Sequence, residues 1–268
     1  MPQAGDRKRI VVALDTGSLS RMAIEAAARL AIGLRARLEA LFVEDANLRR
    51  LAGLPFATEQ GNASAQSRRF DVAGLERAIG VQARQIRRLL EAMADKLPLG
   101  WSLEVVRGDL IDVVLRRGST ADLLVLGRTR RPAYRGLHGE RVMRRLERRV
   151  ARHPIVAVSD GSAAAARVIE AAIALERRER GDVIIAIVAP GAEQFALLRE
   201  RAAAALSARG HGAGGYVVLQ DAGISAVADT AKRLRAGAVL LPVADLVRAE
   251  HEFEGLVDEI ACPVVLIR

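Results

Sequence analysis

The chain repeats itself. Residues 9–15 read Arg-Ile-Val-Val-Ala-Leu-Asp and pass through Thr-Gly-Ser into an alanine-rich stretch that includes Glu25-Ala26-Ala27. Residues 154–162 read Pro-Ile-Val-Ala-Val-Ser-Asp-Gly-Ser and lead into a second alanine-rich stretch that includes Glu170-Ala171-Ala172. The two beginnings lie about 145 residues apart, too far for a short solenoid unit and right for two copies of a whole domain. At 268 residues the chain has room for two such domains, 1–152 and 153–268, each large enough for its own core. One copy is then free to keep a ligand site that the other has lost.

The hydrophobic pattern fixes the class of each copy. Residues 9–15 form a continuous apolar run, the mark of a parallel strand buried on both faces. Gly17-Ser18 makes a turn, and Ser18 or Ser20 caps a helix that runs to about Arg35. A strand over 38–43 is followed by a long connection, 46–70, of a length that is unusual in compact domains. In the helix predicted over 71–97, Val72, Leu75, Ile79, Ile86, Leu89, Leu90, Met93 and Leu97 return at three- and four-residue intervals as one apolar stripe. Next come a strand over 101–106, a short helix introduced by Gly108-Asp109, a strand over 122–127, an arginine-rich loop and a helix over 140–152. The second half repeats the rhythm, with strands over 154–158, 182–189, 216–219, 238–243 and 263–267 separated by helices over 162–179, 191–208, 223–235 and 247–260. Alternation of this kind predicts an α/β fold, two tandem open parallel sheets with right-handed crossovers and helices on both faces. The strand count is odd. If the segment at 154–158 opens the second copy, the first has four strands and an edge that needs a partner.

Composition narrows the function. One cysteine, Cys262, excludes an intramolecular disulfide and a cysteine-rich zinc site. The first residues show no apolar leader, and the apolar run over 183–190 is too short to span a bilayer, so the expected setting is the cytoplasm, away from membranes. The net charge of +9 is uneven. Residues 1–152 hold 29 Lys and Arg against 17 Asp and Glu, a net +12, and residues 153–268 hold 12 against 15, a net −3. A basic half of this kind suits a polyanion. Against that, only Lys8, Lys96 and Lys232 of the 41 basic residues are lysines, so arginine is a habit of the whole chain and no single arginine is informative by identity.

The strand ending in Asp15, the Gly17-Ser18 turn, Gly108-Asp109, Leu-Leu-Val-Leu-Gly127, Asp160-Gly161-Ser162 and the closing Cys262-Pro263-Val264-Val265-Leu266 together resemble a tandem universal stress protein. The resemblance covers nearly the whole chain. It implies sheets of order 3-2-1-4-5, a homodimer or an intramolecular pseudo-dimer of the two copies, and a non-enzymatic role in stress responses with protein partners. Some members of that family bind ATP with magnesium and others do not.

The difference lies in Gly-x-x-Gly, nine residues, then Gly-Ser or Gly-Thr. Glycines let backbone N–H groups approach phosphate, and the hydroxyl and a helix N-terminus complete an anion site. The first copy has Gly127, then Arg130 where the second glycine belongs. Gly139 comes one residue early, and Glu140 follows it where the hydroxyl residue belongs. A carboxylate there repels polyphosphate. The second copy reads Pro242-Val243-Ala244-Asp245, with no glycine. The resemblance therefore implies that the second copy has lost nucleotide binding and that tight ATP binding, and with it a cofactor, is absent. The alternative keeps ATP and magnesium in the first copy only, with Asp15 as the adenine-side carboxylate and Gly127, Arg128, Arg130 and Gly139 about the phosphates. Arginine makes bidentate phosphate contacts without a glycine turn. A second alternative is polyanion or nucleic-acid binding by the basic half, though Tyr134 is the lone aromatic among its loop arginines. No Ser–His–Asp arrangement and no metal-ligand spacing is found in the sequence, so neither a catalytic nor a metal site is expected. Residues 210–215 match Gly-x-Gly-x-x-Gly, but a helix precedes them and a strand follows, the reverse of the dinucleotide-binding context.

Overall fold

The computed structural model of the chain describes residues 8–15, 21–46, 50, 58–60, 67–69, 72–95, 99–118, 120–127, 153–176, 182–221, 223–243 and 259–268. In the first half these form β1 (Arg9–Asp15), α1 (Arg21–Gly33), β2 (Arg37–Asp45), β3 (Thr58–Gln60), β4 (Ser67–Arg69), α2 (Val72–Ala94), β5 (Trp101–Gly108), α3 (Leu110–Gly118) and β6 (Leu123–Leu126). In the second half they form β7 (Ile155–Ser159), α4 (Ala163–Leu175), β8 (Val183–Val188), α5 (Ala192–Ser207), β9 (Gly215–Leu219), α6 (Ile224–Leu234), β10 (Ala238–Pro242) and β11 (Val264–Ile267). The expected turn capped by Ser18 or Ser20, the helix over 140–152 and most of the helix over 247–260 lie outside the described residues. A short antiparallel hairpin, β3 with β4, sits within the long connection that sequence periodicity left without strands.

The two expected parallel sheets join edge to edge into one sheet of nine strands, in the order β5-β2-β1-β6-β11-β10-β7-β8-β9. The second half keeps the full 3-2-1-4-5 order. The first stops at four strands, and β11 takes the fifth position against β6, antiparallel to it. The strand at Ile155–Ser159 pairs with β8 and β10, so it lies within the second half's part of the sheet. The physical reason for the merger is in the seam. Leu123, Leu124, Val125 and Leu126 face Ile267, Leu266, Val265 and Val264, and all eight are buried. An open β6 edge would leave its backbone groups without partners and its apolar side chains without their cross-strand neighbours.

Alternation assigns the two cores. Ile10, Val12, Leu14, Val125 and Val265 point to the face covered by α1, α2, α4 and α5. Val11, Ala13, Leu124, Leu126 and Leu266 point to the face covered by α3 and α6. The alanine-rich stretches are α1 and α4, and they pack on each other over the centre of the sheet. Small side chains bring the two helices close: a Cβ placed on Gly33 would lie 2.8 Å from the Cβ of Ala174. Beyond Gly33 the helix closes through Arg35 at φ 52, and the Ala36 N–H donates back to the Ala31 carbonyl at 2.7 Å. Lys8 Nζ and Glu170 Oε1, 3.1 Å apart, add an ion pair between the halves.

Candidate functional site

In an open parallel sheet, a crevice forms where neighbouring strands send their connections to opposite faces. In the first half that place is between β1 and β6. From β1 the chain crosses through α1 on one face, and into β6 it arrives from α3 on the other. Asp15 is the last residue of β1, paired with Val43 of β2. Ala13 pairs with Leu126, so the next residue after β6, Gly127, stands beside the end of β1. Two residues 112 apart in sequence thus meet at the carboxyl edge of adjacent strands, and Gly127 is buried there. Arg128, Arg130 and Gly139, the other three expected contributors, lie outside the described residues. Antiparallel pairing also brings the start of β11 to this edge, since Val264 faces Leu126.

The equivalent place in the second half lies between β7 and β10, and its groups are already engaged. The Asp160 carboxylate accepts a hydrogen bond from the Ser162 N–H at 2.9 Å, which closes the turn before α4. Gly161 occupies φ +78, and a Cβ there would meet Leu198 Cδ2 at 2.9 Å, so this glycine serves both the turn and the seating of α5. Ser162 stands at the N-cap of α4, but its side chain makes no capping bond. Pro242 occupies the place that corresponds to Gly127 and has no N–H to offer. The Val243 N–H donates to the Ile267 carbonyl at 2.8 Å. A phosphate cradle needs free backbone N–H groups at this point, and neither residue supplies one.

The charged network that the structure does describe sits at the opposite edge. Arg9 forks onto Glu39, with Nε 3.2 Å from Oε1 and Nη2 2.8 Å from Oε2, and the Arg9 N–H donates to Asp122 Oδ2 at 2.7 Å. The Arg9 bond holds the Glu39 carboxyl below the usual carboxylate range, against the opposing effect of burial. This network ties the amino ends of β1, β2 and β6 and is remote from the crevice. Cys262 is buried, and loss of solvation pushes its thiol up to about 12. Among the described residues no group of three or more His, Cys, Asp or Glu is placed to hold a metal ion. Among the same residues no helix is long and apolar enough to cross a membrane. The Gly-x-Gly-x-x-Gly segment joins α5 to β9, on the wrong side of a strand for dinucleotide binding.

The universal stress protein family model matches residues 6–153. Among solved structures, a universal stress protein of Archaeoglobus fulgidus DSM 4304 is similar in fold, with a TM-score of 0.51 at 11% identity over 96% of each chain. A functionally unknown protein of Pseudomonas aeruginosa PAO1 is similar at a TM-score of 0.50 and 12% identity, over 98% of this chain and 92% of that one. No curated protein sequence matches the chain.

Proposed function

This chain belongs to the universal stress protein family, and from that premise we propose that it is a non-enzymatic binding or regulatory protein in a stress response, without tight ATP binding. In this reading residues 1–152 and 153–268 are two family-like copies, and the antiparallel β6–β11 seam makes the chain its own dimer. The observation that carries it is the state of the second crevice, where Pro242 and the engaged Val243 N–H replace free donors and Asp160 is tied into its turn. In the first copy the sequence supports the same conclusion through Arg130 and Glu140 in the degenerate glycine motif.

A second reading has one observation in its favour. Asp15 and Gly127 stand together at the first crevice, so adenine-nucleotide binding there would use them with Arg128, Arg130 and Gly139. One titration separates the two. Magnesium ATP is added to the full chain in a calorimeter, with Asp15→Ala as control. The first reading expects no saturable heat and no shift in melting temperature. Micromolar binding near one per chain, abolished by Asp15→Ala, would replace it with the second.

A further inference from the structure

We propose that a cleft between α2 and the β2–β5 edge of the sheet is a second, separate site, and that it takes a small amphiphilic monoanion: a carboxylate on a medium-length aliphatic or aromatic body. The cleft holds about 390 Å³, within the range of small-ligand sites. It lies one strand outside the β1–β6 crevice, on the face covered by α2. It does not rest on either reading of nucleotide binding.

The cleft follows from a helix whose apolar stripe is not buried to the same depth along its length. Along α2, Leu90 and Ile86 are completely buried, but Ile79 and Leu75, further toward its amino end, are only half-buried. A stripe of uniform apolar spacing is therefore fully buried at one end and only partly covered at the other, where Ile79 still packs on the core and lines the cleft with Leu75. The opposite wall is the carboxyl end of β2 and β5. There Glu44 and Arg107 line the cleft as register partners whose Oε2 and Nε lie 2.8 Å apart.

The hydrogen-bond donors left on the rim select the ligand. The Glu44 side chain is mostly buried and neutralised by Arg107 Nε. Among the described residues the two Nη groups of Arg107 make no hydrogen bond, and Arg50, also on the rim, has no partner. Glu76, the other rim acid, already has an interaction of its own. The hydrogen-bonding capacity left over is thus two guanidiniums above a wall made by Leu75 and Ile79. Guanidinium forks match carboxylate geometry, and an apolar tail beneath them removes hydrocarbon surface from water.

The test titrates the full-length protein with octanoate, octanol and octylamine, followed by calorimetry and by chemical-shift changes. Octanoate is expected to saturate at one per chain, octylamine not to bind, and octanol to bind about tenfold or more weakly than octanoate. Arg50→Glu, a change at an exposed position that leaves the packing untouched, should weaken octanoate about tenfold or more. Leu75→Trp, at a cleft-lining residue that is not packed against the core, should fill the cleft and abolish binding, with the melting transition retained. Saturating magnesium ATP should not compete. Absence of octanoate binding at millimolar concentration, equal affinity for all three probes, or indifference to Arg50→Glu overturns the proposal.

Discussion

At the scale of single residues, the same side-chain type does different work according to what surrounds it. Asp160 is consumed by its own turn, whereas Asp15 ends a strand at a crevice. Glu39 is a structural acid. Its native proton affinity is lowered by the Arg9 fork, so it contributes stability in full above the unfolded-state value, about 4.3, and loses it as pH falls through the lower native value. Glu39→Gln should cost up to about 1 kcal/mol at pH 7, and the gap should close in acid. Urea unfolding of both proteins at pH 7 and near pH 3 reads this directly, and a gap of equal size at both pH values would contradict it. Cys262 is the opposite case, an acid kept neutral by burial with its thiol near 12. A thiol, not a thiolate, faces any reagent at pH 8, so disulfide-exchange reagents should label the native protein far more slowly than the urea-unfolded chain. Labelling at equal rates would show that the site is open. The strand-end positions of Asp15 and Gly127 were legible in sequence because each directly follows or ends a buried apolar run. The cleft rim was not. Glu44, Arg50 and Arg107 come from three segments, and nothing in their spacing announces that they meet. Leu75 and Ile79 read as ordinary core because periodicity reports which face of a helix is apolar, not where its cover ends.

At the scale of elements, the helices and strands among the described residues were readable to within a few residues because long apolar periods leave little choice. The β3–β4 hairpin was missed for a physical reason: Thr58–Gln60 and Ser67–Arg69 are polar, three residues each, and too short to show alternation. The alanine stretches were visible as helices, but their common purpose was not. Alanine in α1 and α4 permits the close crossing at the middle of the sheet, and Gly33 marks its tightest point. A Cβ there would lie 3.2 Å from the Ala174 Cα and carbonyl oxygen as well as 2.8 Å from its Cβ, and backbone cannot step aside like the tip of a long side chain. Gly33→Ala should therefore destabilise by about 1–3 kcal/mol through overpacking, although alanine favours helix over glycine by up to about 1 kcal/mol. Thermal melting checks the sign. The pair Gly33→Ala with Ala174→Gly should recover only the part due to the Ala174 Cβ, since the backbone contacts at 3.2 Å remain, and a double-mutant cycle with no coupling at all would move the cause away from this contact.

At the scale of the whole molecule, the odd strand count was the informative signal. Four strands in the first half implied an edge in need of a partner, and β11 lies in that position, with Arg268 N–H extending the ladder to the Asp122 carbonyl at 3.2 Å. The sheet then ends on β5 and β9, and the hydrophobic cores on both faces run across the seam. Because the cores are shared, the halves should not be independent. Residues 1–152 made alone would expose the β6 edge and the alanine surface of α1, so that fragment is expected to self-associate or precipitate. Residues 153–268 retain a complete five-strand order but would present β11 as a bare apolar edge. Mixed or co-expressed, the two fragments should form a one-to-one complex with a single melting transition, since the same buried pairs can form without a covalent link. Light scattering after size-exclusion chromatography measures the stoichiometry. A stable monomer of residues 1–152 that ignores the other fragment would mean that the seam is an adjacency and not a shared core. A one-to-one complex, lost when Val265→Asp places a carboxylate on the buried face beside Val125, would show that the second half serves the first as its missing strand.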